Sequence, residues 1–234
     1  MTRRVAATLI LCLCCALTFA QQRGVAPFNY GVKSGFSSTI YTVDELVVAG
    51  APINDYMAKS EISLFYTIFA RGNINRHYLQ TELSYNISNY TIEFGCNQWN
   101  SLAKPSEKSL IGTKIIGFEV PLYYGYHVLK EGPYGLSLYF GPKAKFILSD
   151  FSKHTFANSP YKQFSENIYP INFSLMVGMG INISRVFFDF SFEYGLQNIS
   201  NGFVTTDTEA LVSTEDFVFN RRKNVLSFSV GFMF

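Results

Sequence analysis

Three histidines, His77, His127 and His154, are the side chains of this 234-residue chain best suited to moving a proton near neutral pH. Acyl transfer or lipid trimming would need one of them beside a serine and a carboxylate. Only His154 has such company in sequence, with Asp150 and with Ser152 or Ser159. The same residues make an ordinary polar loop, and that is the stronger reading. Of the four cysteines, Cys12, Cys14 and Cys15 crowd into the first residues, which leaves Cys96 alone downstream. A single thiol makes no internal disulfide and no thiolate metal set. Cys96 and Trp99 suit either a contact or local packing. Five Asn-x-Ser/Thr sequons, at Asn86, Asn89, Asn172, Asn182 and Asn198, carry no function in a chain so rich in Asn and Ser. No phosphate-binding loop or cofactor motif is present, so neither catalysis nor a cofactor is expected.

The charges tell more, because they recur at period two. In Lys114–Val128, KIIGFEVPLYYGYHV, the even positions Ile116, Phe118, Val120, Leu122, Tyr124, Tyr126 and Val128 are all apolar or aromatic. The odd positions mix small residues with Glu119 and His127. Alternation of this kind is a strand signal, because successive side chains leave opposite faces. About eleven residues at ~3.3 Å each, tilted by about 40°, cross the apolar band of an outer membrane. One greasy face and one small or polar face predict a membrane-spanning barrel strand.

Seven further segments extend the pattern: 29–40, 61–71, 77–87, 134–148, 167–181, 185–197 and 224–234. The fold class expected is all-β, an eight-stranded antiparallel transmembrane β-barrel. Short turns at 72–76, 129–133 and 182–184 alternate with long loops at 41–60, 88–113, 149–166 and 198–223. A soluble β-sandwich would carry polar residues on its outward face, and these outward positions are almost wholly apolar. Whether the third strand continues through Thr91–Phe94 is left open by the pattern.

By this parity the lumen receives the acids Glu61, Glu82, Glu119, Asp189 and Glu193 and the bases Lys33, Arg71, Lys143, Lys145 and Arg185. Equal numbers in a narrow barrel predict a closed, charge-balanced lumen, since interiors of this size are filled by side chains. The tight turn at 129–133 sets Glu119 opposite either Lys143 or Lys145. The last strand alternates Phe228, Val230, Phe232 and Phe234 outward, the form of a C-terminal assembly signal for a barrel assembly machinery.

Composition agrees. Charged residues are 15% and aromatics 17% of the chain, with 23 Phe and 15 Tyr, against an average near 25% charged. Thr2-Arg3-Arg4 followed by the apolar run Val5–Phe19 reads as a signal peptide, residues 1–20, with cleavage after Ala20 and a barrel domain over 21–234. Removal of Arg3 and Arg4 leaves seventeen basic against seventeen acidic residues. That balance gives no reason to expect nucleic acid as a partner. Outer-membrane lipid is the expected surroundings, with long loops outside and both termini in the periplasm.

Several stretches resemble the PorT-like outer-membrane β-barrel family of Bacteroidota. GVKSGFS at 31–37 is similar to its opening strand and YLQTELSY at 78–85 to its Gln–Glu strand. GFEVPLYYGY at 117–126 looks like its Glu-x-Pro strand, and LYFGPKAKFIL at 138–148 like its Gly-Pro strand. VGMGINI at 177–183 and FEYGLQNIS at 192–200 fit its late strands. The resemblance implies the barrel, and it implies an accessory or assembly part of an envelope export system, acting through contacts with other envelope or secretion proteins. The loops, where the chain departs from the family, leave a surface binding or adhesion protein as the alternative. An envelope lipid-modifying enzyme ranks last.

Overall fold

Alternating apolar residues require a surface on each side of every strand, and the chain supplies both by closing a sheet on itself. The computed structural model describes residues 27–48, 51–60, 62–95, 108–148, 153–157, 164–205 and 218–234. Eight strands form the barrel: β1 (Phe28–Val48), β2 (Ile62–Ile74), β3 (His77–Gly95), β4 (Lys108–Glu131), β5 (Tyr134–Ile147), β6 (Ile171–Ile183), β7 (Val186–Gly195) and β8 (Val218–Met233). Each pairs antiparallel with the next, and β1 pairs antiparallel with β8, so the sheet has no open seam.

The three short connections lie at one end, together with the start of β1 and the end of β8. Each has a residue of positive φ in its bend: Asn75 (56°), Gly132 (57°) and Ser184 (59°). Gly132 is followed by Pro133, whose ring holds φ negative, the arrangement of a tight hairpin turn. Between β4 and β5 this turn sets Glu119 opposite Lys145, the second of the two registers expected, with an irregularity at His127–Leu129.

Several boundaries differ from the sequence reading. Residues 41–48 continue β1, β3 runs through Thr91–Phe94 to Gly95, and β4 begins at Lys108. β8 begins at Val218 instead of Asn224, so the fourth loop is shorter than expected. Short strands occupy the other connections. Tyr56–Ser60 adds to the far half of β3, Lys153–Ala157 adds to the far half of β4, and Phe164–Ile168 pairs with Ser200–Thr205. Periodicity missed them because their backbones are paired above the apolar band, where neither face demands a greasy residue. The segment 1–20 lies outside the described residues, as do Glu61, Cys96, Trp99, Asp150, Ser152 and Ser159.

The two faces divide as the alternation requires. Phe36, Leu64, Ile68, Leu122, Leu138, Phe140, Val177, Phe190 and Phe228 are among many large apolar side chains left exposed on the outside. Apolar surface this continuous is stable only against lipid or a partner. Inside, glycines and rings are matched across neighbouring strands. Gly31 faces Phe69, Gly35 faces Phe65, Gly125 faces Tyr78, Gly178 faces Tyr139 and Gly231 faces Phe187. In every pair the ring lies where a Cβ on the glycine would stand. Rings laid flat across glycines fill a narrow lumen that upright side chains from eight strands would overfill. Two aromatic clusters result, Tyr78–Tyr123–Tyr139–Met176 and Phe69–Phe187–Met233.

Candidate functional site

The lumen gathers the charged side chains, and β1, β2, β3, β4, β5, β7 and β8 each bring theirs in because inward positions alternate at period two. Two networks form. In the first, Lys33 lies 2.7 Å from a Glu82 oxygen and 3.0 Å from an Asp189 oxygen. Gln80 Nε2 donates to Glu82 at 2.6 Å and Tyr123 Oη donates to its other oxygen at 3.2 Å. Arg71 Nε donates to Gln80 Oε1 at 2.5 Å, and its guanidinium lies 4.3 Å from the Tyr78 ring centre.

The second network is centred on Glu119. Lys143 Nζ reaches one of its oxygens at 2.7 Å and Lys145 Nζ the other at 3.2 Å. Lys143 also pairs with Glu193, and Lys145 donates to Asn86 Oδ1 at 3.3 Å. All these charged groups are buried. Two prolines frame the centre. Pro121 stands in β4 and Pro142 in β5, each without an N–H to give a ladder. The β3–β4 ladder is interrupted opposite Pro121, where Thr81 Oγ1 donates to the proline carbonyl at 3.2 Å.

Not every charge expected in the lumen is there. Arg185 lies in the β6–β7 turn and is exposed, because the strand begins one residue later than the alternation suggested. Arg221 and Lys223, assigned to a loop in the sequence reading, are buried inside the barrel on the early part of β8. The signal was present in FNRRKN, where Arg221 and Lys223 share parity with Val225 and Ser229, but a run of charges reads first as a loop. Among the described residues the buried cations are Lys33, Arg71, Lys143, Lys145, Arg221 and Lys223, against Glu82, Glu119, Asp189 and Glu193. The lumen is therefore not charge-balanced there: cations are in excess.

It is closely filled all the same. Cavities among the mid-barrel lumen residues measure about 20 and 30 Å³, about the share of one water molecule. The Phe228, Val230 and Phe232 side chains of β8 and that of Phe234 just after it face outward, and Phe234 stacks on Tyr30 with ring centres 5.5 Å apart. His77 is exposed and hydrogen-bonded to Tyr124 Oη at 2.5 Å, while His127 is buried against Tyr78. The barrel thus keeps them on opposite faces. Among the described residues no group of His, Cys, Asp and Glu is placed to hold a metal ion.

The family described as outer membrane protein beta-barrel domain matches residues 19–201. No curated protein matches the chain in sequence. Among solved structures, the outer membrane protein OprG from Pseudomonas aeruginosa is 12% identical, with 88% of this chain and 95% of that chain covered and a TM-score of 0.53. The outer membrane protein AlkL, 13% identical, covers 92% and 94% with a TM-score of 0.49. The outer membrane protease OmpT from Escherichia coli, 8% identical, covers 92% and 99% with a TM-score of 0.44. At these identities the likeness concerns the barrel and not what it binds or cleaves.

Proposed function

Because the chain belongs to the outer membrane protein beta-barrel domain family, we propose that it works in the outer membrane by contact with other proteins, as an accessory or assembly part of an envelope export system. The observation that carries this reading is the wall raised at the end opposite the tight turns. A strand tilted by about 40° crosses a ~25 Å apolar band in about 11 residues, yet β1, β3 and β4 have 21, 19 and 24. The far halves of β3 and β4, with Tyr56–Ser60 and Lys153–Ala157 at the flanks, make a sheet standing clear of the band, and the far half of β1 pairs with β8. A filled lumen supports contact over solute passage. The export role follows the resemblance of the strands to PorT-like proteins, and no catalytic activity is part of this reading.

In this reading the tight turns and both termini face the periplasm, and cleavage after Ala20 gives a mature chain starting at Gln21. A photo-crosslinking residue at Met57, exposed on the raised sheet, then yields discrete adducts with envelope export proteins in living cells. The same probe at Leu138, on the lipid face, yields none. Planar-bilayer recordings should show no steady open conductance. A stable open channel would sink the contact reading. Adducts absent at Met57, with loss of cell adherence on deleting the protein, would replace it with surface binding.

The barrel assembly machinery is the other partner proposed. Deleting Phe234 removes an outward aromatic that stacks on Tyr30, whereas Met233→Ala alters the lumen cluster with Phe69 and Phe187. We expect the deletion to lower the amount of inserted barrel several-fold more than Met233→Ala. Equal insertion of both variants in outer-membrane fractions would remove the assembly signal from Phe234.

A further inference from the structure

At the tight-turn end the lumen opens into a cavity of about 150 Å³ whose polar lining includes Arg71, His127, Lys130, Asn29, Asn73 and Asn182. No carboxylate side chain lines it. Arg71 is buried, and its Nε is committed to Gln80 Oε1. Lys130 Nζ donates to the Asn75 carbonyl at 2.8 Å. Neither cation forms an ion pair among the described residues. The lumen acids Asp189 and Glu82 serve elsewhere: Asp189 is bound to Lys33, deeper in the barrel, and Glu82 accepts from Lys33 and Gln80. Glu131, beside Lys130 in sequence, is exposed and outside the cavity lining.

We propose that this cavity is a binding site for a small oxyanion, a carboxylate or phosphate group, presented at the turn end of the barrel. A guanidinium offers paired N–H groups that match the oxygens of either anion. The Arg71 plane is held by stacking on Tyr78, which is itself packed against His127 at 5.0 Å between ring centres. The site is therefore oriented before an anion arrives, which lowers the ordering cost of binding. Lys130 supplies the second charge from the end of β4, and the side chains of Asn29 and Asn182 supply neutral donors, while Asn73 Nδ2 donates to Asn29 Oδ1 at 2.6 Å. At about 30 Å³ per water, the cavity has room for one such group with part of its hydration. This site is independent of the contact surface on the raised wall at the other end.

The test uses the mature protein in a neutral maltoside detergent, with inorganic phosphate and acetate as probes and the His127 ring signals followed by NMR. Saturable shifts are expected with at least one probe. Lys130→Gln, at an exposed position near the end of β4, should weaken binding about tenfold, while Lys114→Gln, outside the cavity, should not change it. Arg71→Lys should abolish saturation, and the heat resistance of that variant reports whether the barrel is intact. Nanodiscs separate the sources. Weaker phosphate binding in phosphatidylglycerol than in phosphatidylcholine discs assigns the site to a lipid headgroup, and equal binding assigns it to a soluble ligand. Shifts that never saturate, or that Lys130→Gln and Lys114→Gln reduce alike, would reduce the effect to general charge screening and overturn the proposal.

Discussion

Glu119→Ala is expected to lower the stability of the barrel by about 3–5 kcal/mol, the usual cost of stranding one side of a buried ion pair. Glu119 is the shared partner of Lys143 and Lys145. Lys143 retains Glu193 when it is lost. Among the described residues Lys145 then retains only the Asn86 side-chain oxygen at 3.3 Å, in a lumen where the described buried cations outnumber the acids and where water is scarce. Glu119→Gln preserves shape and one acceptor, so heat resistance in detergent should fall in the order wild type, Glu119→Gln, Glu119→Ala. Adding Lys145→Met to Glu119→Ala removes the stranded ammonium and should restore much of the loss. A Glu119→Ala barrel as heat-resistant as the parent would mean that water reaches Lys145 freely and that the lumen is not filled.

Gly125→Ala should also be damaging, for a purely steric reason. A Cβ at Gly125 collides with the ring of Tyr78, the residue directly across the β3–β4 ladder. That ring is held between Arg71 and His127, so it has no free direction in which to move. Overpacking of a well-filled core costs about 1–3 kcal/mol, and Gly125→Val should exceed this. Gly72→Ala is the control, since a Cβ there meets nothing within 4 Å. In a Tyr78→Ala background the collision disappears, so the extra cost of Gly125→Ala should shrink toward that of Gly72→Ala. Additive losses in the double mutant would show that the ring is not what excludes the Cβ.

The eight strands were legible because lipid imposes a requirement on every second residue. Leu79 and Leu83 on β3, or Phe188 and Phe190 on β7, cannot be polar if they face hydrocarbon. Where that requirement lapses the pattern lapses too. The far half of β1 and the strand Tyr56–Ser60 sit above the band, so their pairing left no periodic mark. Arg221 and Lys223 show a second limit: charges adjacent in sequence look like loop residues until β8 fixes which of them turn inward. Arg185 shows the converse, a charge of inward parity placed by its turn on the surface. The opposition of Glu119 to Lys143 or Lys145 was accessible from sequence because one short turn joins their strands, and the structure selects Lys145. The link from Lys33 to Asp189 was not, since it joins strands from opposite ends of the chain.

The three tight turns divide the chain into hairpins β2–β3, β4–β5 and β6–β7, each of which closes over neighbouring residues. β1 and β8 have no such local partner. Their sixteen paired positions run from Gly31–Met233 to Val47–Val218, contacts between the two extremities of the chain. Because contacts of large sequence separation carry the loop-closure entropy before they return any pairing energy, the β1–β8 join is expected to be the slow event in making this barrel. The Phe36–Phe228 and Tyr30–Phe234 ring contacts, each 5.5 Å between centres, lie across that join as its clasp on the lipid side. The cylinder is thus written to be zipped last along one line, with its fasteners on the outside.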